Sequence, residues 1–247
     1  MNSFHKIIFL VVLSIASTIT SSVASTSFAD DKIVITHGDL GNSAFQLMAK
    51  PILEVAYSRI GKSVKFEKLP AERSLVYTNS GFSDGELARI AGLEEKYQNL
   101  TRISIPIAYD ELSVYYKKPN LKVEGWSSLL PYNIGFVAGS KITEQKTEGM
   151  NVEMVSSATQ GLNKVNLGRS DIFIGLKGIQ CLIDKLKLTD IKVIDQPLEK
   201  LVMYHYVHKK HSQMARNLET VLRQMKESGE MDLLQKQSCQ DFLDHCK

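Results

Sequence analysis

The sequence predicts an α/β protein of two doubly wound lobes joined by two hinge strands, and three observations carry that prediction. Short β-rich runs alternate with amphipathic helical stretches from Lys32 to Ile194, the pattern of parallel strands covered by helices. The alternation breaks once, at the extended segment Leu112–Lys118 running out toward Pro119-Asn120, and resumes in the same form at Trp126. A second extended run, Leu201–Val207, carries the chain back before two terminal helices. A chain that passes twice between two such units makes a clamp, which takes a ligand in its cleft and closes about the hinge.

The first 29 residues stand apart. Lys6, the apolar run Ile7–Ile15 and a Ser/Thr-rich stretch ending Ser27-Phe28-Ala29 read as a secretory signal peptide cleaved near Ala29, with Ser22-Val23-Ala24 a weaker site. The apolar core is far below the ~20 residues of a spanning helix, and nothing downstream is long and apolar enough to cross a bilayer. The expected product is soluble and exported, with a bacterial periplasm as its destination and no direct membrane insertion. Cleavage removes one lysine and no acid, so 30 basic and 27 acidic residues become 29 and 27, a net charge of +2. Charges of both signs are interspersed, which gives no basic field for nucleic acid.

In chain order, Lys32–Thr36 is a strand, and Phe45, Met48, Ile52, Val55 and Ile60 form a helical stripe that Gly61 closes. Val64–Leu69 completes a βαβ unit and so predicts a parallel pair with a right-handed crossover. Pro70 starts a helix over Ala71–Asn79, and strands follow at Glu86–Ile90 and Arg102–Ile107. Beyond the first crossing, strands are expected at Asn133–Val137, Val152–Val155, Asp171–Gly175 and Ile191–Ile194. Helices should cover the stretch to about Glu148, Thr159–Val165 and Ile179–Leu186. Gln213–Glu227 and Met231–Leu243 are the closing helices. The expected division is residues 30–113 with 204–247 in lobe 1 and 114–203 in lobe 2.

Three cysteines are an odd count for an oxidising compartment. Cys239 and Cys246, seven apart, are expected to staple the last helical turns, leaving Cys181 as a small buried hydrophobe. No Cys-x-x-Cys spacing points to a metal, and no cofactor is expected.

With those residues read, the chain resembles the periplasmic solute-binding proteins of the amino-acid type, extracellular family three with the type II fold. The resemblance rests on Leu69-Pro-Ala-Glu-Arg-Ser-Leu75 with Gly81 and Asp84, on Arg102-Ile-Ser-Ile-Pro-Ile107, and on Asn133-Ile-Gly-Phe-Val-Ala-Gly-Ser140. Asn166-Leu-Gly-Arg-Ser-Asp171 and Tyr206-Val-His-Lys-Lys-His211 complete it. It implies a monomeric, non-enzymatic receptor that delivers a small ligand to a membrane ABC permease. Two family features are missing. The Thr-x-x-Arg element that clamps a ligand α-carboxylate has no counterpart in Gly85–Lys96, and the position that meets the α-amine is Leu176.

Candidate ligand contacts follow from placement at strand ends. Arg89 ends a parallel strand, where ligands of open sheets sit, and a guanidinium there can hold a carboxylate with two parallel hydrogen bonds; pairing with Glu86 or Glu94 is the alternative. Arg73 has a similar case at the start of its helix. Gly139, Ser140 and Lys141 turn from strand to helix with backbone N–H groups in an anion-receptive position, unless Ser140 only caps its helix. Thr159 carries the same ambiguity. His37 and Asp39 lie past the first strand, while Tyr109, Asp110 and Tyr204 flank the crossings and offer an aromatic wall. His205, His208 and His211 lack helical metal spacing and read as a solvent-facing segment.

The expected function is capture of a small polar, carboxylate-bearing solute for an ABC importer. The alternatives are a sensor subunit for a membrane signalling protein and an exported dehydratase-like enzyme. The last would draw its acid or base from His37, Asp39 or Asp110.

Overall fold

The computed structural model describes residues 32–40, 44–118 and 121–245, so the expected signal segment, residues 1–29, lies outside the described residues. β1 (Ile33–Gly38) leads to α1 (Ala44–Arg59), whose stripe Phe45, Met48, Ile52, Leu53 and Ala56 is buried. Gly61, at φ 72°, ends the helical stretch, with the Lys62 N–H donating back to the Tyr57 carbonyl at 3.0 Å. β2 (Val64–Leu69) then runs parallel to β1, from Ile33 opposite Val64 to Gly38 opposite Leu69. After α2 (Ala71–Asn79), β3 (Gly85–Arg89) pairs parallel on the other side of β1.

The two extended segments expected at Arg102–Ile107 and Leu112–Lys118 form one 17-residue strand, β4 (Leu100–Tyr116). It stays continuous because it always has a neighbour. Leu100–Leu112 lie against β9 (Glu199–His208), and Leu112–Tyr116 pair antiparallel with β7 (Ile172–Leu176). Its register against β9 slips on both sides of Pro106, which has no N–H to give to a ladder.

The second lobe is built on β5 (Ile134–Val137), α3 (Lys141–Lys146), β6 (Val152–Val155), α4 (Ala158–Asn166), β7 and α5 (Gln180–Lys185). The strand expected at Ile191–Ile194 shrinks to β8 (Lys192–Val193), which pairs with β4. β5 lies parallel to both β6 and β7. Among the described residues the strands run β2-β1-β3-β9-β4-β7-β5-β6, with antiparallel joins at β3–β9, β9–β4 and β4–β7. The architecture is two α/β lobes whose sheets meet along the β4–β9 ribbon.

α6 (Ser212–Glu227) buries Ala215, Leu218, Leu222 and Met225 in the large core with α1 and the odd positions Ile103, Ile105 and Ile107 of β4. α7 (Glu230–His245) adds Met231 to the same core. A second cluster, Val155, Leu162, Val165, Phe173, Ile179 and Ile183, fills the outer face of lobe 2. There α4 approaches β7 so closely that a Cβ on Gly161 would lie 2.1 Å from the Phe173 ring.

The cysteine expectation needs correcting. Cys181, on α5, is disulfide-bonded. In a chain of three cysteines that bond uses one of the other two, which rules out the Cys239–Cys246 staple. Cys246 and the side chain of Cys239 lie outside the described residues. Among the described residues no helix is long and apolar enough to cross a membrane, and no group of three or more His, Cys, Asp or Glu is placed to hold a metal.

Candidate ligand site between the lobes

The carboxyl ends of β1 and β3 and the start of α2 face the turn between β5 and α3. Gly139, at φ 91°, forms the point of contact: a Cβ there would lie 2.5 Å from the Glu72 nitrogen and 2.8 Å from Ala71. Only a residue without a side chain lets the two backbones come this close. Beside the contact is a slot of about 30 Å3 lined from both lobes, by Arg89, Ile90 and Leu93 on one side and Ser140, Ile142 and Leu176 on the other. Leu40, Ala88, Gly139, Lys141, Leu201 and Met203 complete the wall.

Arg89 reaches the slot through an irregularity. Residues three apart on a regular strand point to opposite faces, but the register of β3 against β9 shifts between Glu86 and Arg89, bringing both side chains together. Arg89 Nε donates to Glu86 Oε1 at 2.7 Å, and Nη2 donates to the Ala71 carbonyl at 2.9 Å. Glu86 is fully buried and also accepts from Thr36 at 3.1 Å and from Ser74 at 2.5 Å. A buried ion pair requires such additional donors, because desolvation otherwise exceeds the Coulomb gain.

A second network crosses between the lobes at the rim. Lys141 of lobe 2 is ion-paired to Glu72 of lobe 1 and, at 2.8 Å, to Glu144. Glu72 also accepts from Tyr97 Oη at 2.9 Å. Burial opposes the Lys141 charge, but the hydrogen bonds to Glu144 and Glu72 outweigh it and raise its pKa. Burial plus the bond to Glu72 pushes the Tyr97 hydroxyl up to about 12. The N–H of Gly139 is taken by Glu144 Oε1 and that of Ser140 by the Val137 carbonyl, while Ser140 Oγ bonds Thr143.

Of the sequence-predicted contacts, Arg89, Gly139 and Ser140 come together in the slot. The others do not. Arg73 lines an outer hollow of about 570 Å3 with Val76, Tyr77 and Phe82. Asp39 pairs with Lys68 at 2.9 Å. Thr159 stands in the first turn of α4, whose cap is Ser157. Tyr109 is exposed on β4 opposite Val202, and the Tyr204 ring lies under Arg102, 4.8 Å away. His37 is buried with its Nδ1 unpartnered, and burial, followed by Lys50, lowers its pKa to about 4.

Asp110 stands on β4 within the ribbon, where burial raises its pKa to about 6 despite backbone N–H groups from Glu111, Phe45 and Lys177. The expected solvent-facing histidines also differ. His205 is fully buried between the Tyr57 hydroxyl at 2.9 Å and the Glu86 carbonyl at 2.8 Å, whereas His211 pairs with Asp84 at 2.7 Å.

Sequence reasoning missed most of the slot's aliphatic wall. Leu40, Leu93, Ile142, Leu201 and Met203 carry no local mark that separates a cleft wall from a core.

No family model matches the chain. An uncharacterised protein of Shewanella oneidensis is 29% identical over 209 residues, covering 81% of this chain and 78% of that protein. Among solved structures, a histidine kinase sensor domain with similarity to periplasmic binding proteins superposes with a TM-score of 0.72 at 12% identity, covering 84% of this chain and 95% of the other. An amino acid ABC transporter substrate-binding protein, AbpA from Streptococcus pneumoniae bound to L-arginine, gives 0.68 at 14% identity, covering 85% and 95%. With the order of strands and the double crossing, these likenesses establish that the chain has the two-lobed fold of the type II periplasmic binding proteins.

Proposed function

We propose that this protein is an exported, non-enzymatic receptor that captures a small carboxylate-bearing solute between its lobes and presents the closed form to a membrane ABC importer. The observation that carries the reading is the slot itself, walled by both lobes at the ends of parallel strands, with a guanidinium in its lining. Such a site responds to a ligand by changing how the lobes sit, which a membrane partner can read. The likeness to an ABC transporter substrate-binding protein supports the importer reading. The likeness to a histidine kinase sensor domain favours a second one, in which the closed form signals to a membrane kinase. An enzyme is less well supported, because none of His37, Asp39 and Asp110 lines the slot.

A thermal-shift screen of organic acids, amino acids, polyamines and sugars tests the receptor reading, since a ligand at a hundred times its Kd adds about 2.7 kcal/mol of stability. One solute should bind stoichiometrically, remain chemically unchanged and compact the protein in small-angle scattering. Conversion of the solute would turn the reading to an enzyme. Cross-linking of the loaded protein in the cell envelope separates importer from kinase.

A further inference from the structure

Resting on the receptor reading, we infer that the slot selects a small monocarboxylate with an apolar body and rejects the α-amino acid of the same skeleton. The slot presents one guanidinium and a mostly aliphatic wall. Arg89 has five N–H donors in a planar fork, of which Nε is committed to Glu86 and one Nη2 hydrogen to the Ala71 carbonyl, so both Nη1 hydrogens and the second on Nη2 remain for a carboxylate. Glu86 fixes the plane of that fork while spreading its own charge over Arg89, Thr36 and Ser74.

An ammonium finds no such reception. Among the described residues no Asp or Glu lines the slot. Glu86 is fully buried with its oxygens taken, and Glu72 and Glu144 line the neighbouring hollow and share the Lys141 ammonium. A zwitterion would bury its ammonium unpaired against Leu176, Ile142 or Leu201, and a buried charge without a partner is strongly disfavoured. Selection here works by what the pocket withholds, the element of specificity that repels the wrong guest.

The test is calorimetric titration and thermal shift on the exported protein with propionate, isovalerate and isocaproate. Each is set against the amino acid of the same skeleton, alanine, valine or leucine, and against its primary amide. At least one acid should bind with single-site stoichiometry, its amino acid on the order of a hundred-fold more weakly, and its amide no better than the amino acid. An amino acid or amide that binds as tightly as its acid overturns the inference and leaves the receptor standing. If no acid binds, the inference also falls, and the sugar and polyamine arms of the screen then decide whether the receptor reading falls with it. The paired change Glu86→Gln with Arg89→Gln, which leaves neither charge buried alone, should abolish acid binding; retained binding removes Arg89 from the site and overturns the inference.

Discussion

Two buried histidines and the half-buried Asp110, whose Oδ2 is itself buried, pull the stability of this protein in opposite directions with pH. His37 and His205 have pKa values lowered to about 4 from 6.5, in both cases chiefly by burial. Between pH 6.5 and 4 the unfolded chain binds protons at these sites that the folded chain refuses. Their contribution is therefore present above the ordinary histidine pKa and is lost as pH falls, on the order of 3 kcal/mol for each. Asp110 runs the other way, with its pKa raised from 3.8 to about 6 by burial, so the folded state holds a proton the unfolded state releases, and stability is lost as pH rises from about 4 to 6. Asp110→Asn is thus expected to stabilise the protein at pH 7 by about 1–3 kcal/mol and to change it little at pH 4, as read from urea midpoints. An equal effect at both pH values would show that charge burial at Asp110 is not the cause. At this scale the sequence was informative at Arg89, where Glu86, three residues earlier, is one of the partners offered beside the ligand role and is the one the guanidinium holds. It was misleading at His205, which reads as polar but shares a strand face with Leu201, Met203 and Val207, all buried. That alternation was the available signal.

Gly161 tests how tightly one helix lies on its sheet. It sits in the middle of α4, where alanine is normally better by about 1 kcal/mol. Its added Cβ, however, would meet the Phe173 ring at 2.1 Å, a close approach to a fully buried aromatic. Overpacking typically costs about 1–3 kcal/mol, so Gly161→Ala should be net destabilising by up to about 2 kcal/mol in denaturant melts. A stabilised variant would mean that α4 can lift away freely. Elements were the most legible level of this chain. Ala71–Asn79 and Val152–Val155 stand where periodicity and turn residues predict them, because both are bounded by strong local punctuation. The fusion of two expected strands into β4 was not legible, since continuity there comes from β9 and β7, partners distant in sequence.

For the molecule as a whole, the two lobes come closest where Gly139 meets Ala71 and Glu72, and on the proposed receptor reading closure depends on that contact. Gly139→Ala should hold the lobes apart, giving a larger radius of gyration in solution scattering and loss of solute binding, since the Cβ would lie 2.5 Å from the Glu72 nitrogen. Gly149→Ala is the matched control: it has a comparable φ of 78° but nothing within 4 Å of its added Cβ. Strain alone would affect both variants alike, whereas a blocked closure affects only the first. The slot as an assembly was hidden from the sequence, because its wall is gathered from segments between Leu40 and Met203. Hydrophobic periodicity marks these residues as buried without saying that two bodies bury them against each other.

The ladder joining β4 to β9 carries one further implication. A hydrogen-bonded pair of strands behaves mechanically as a narrow tape, compliant to flexing and torsion yet stiff to sliding in its own plane. Whatever travels between the outer edges at β2 and β6 must therefore do so as rotation, like two pages turning on a shared spine, and any agent that stiffens the tape near Pro106 should slow the turning without altering either page.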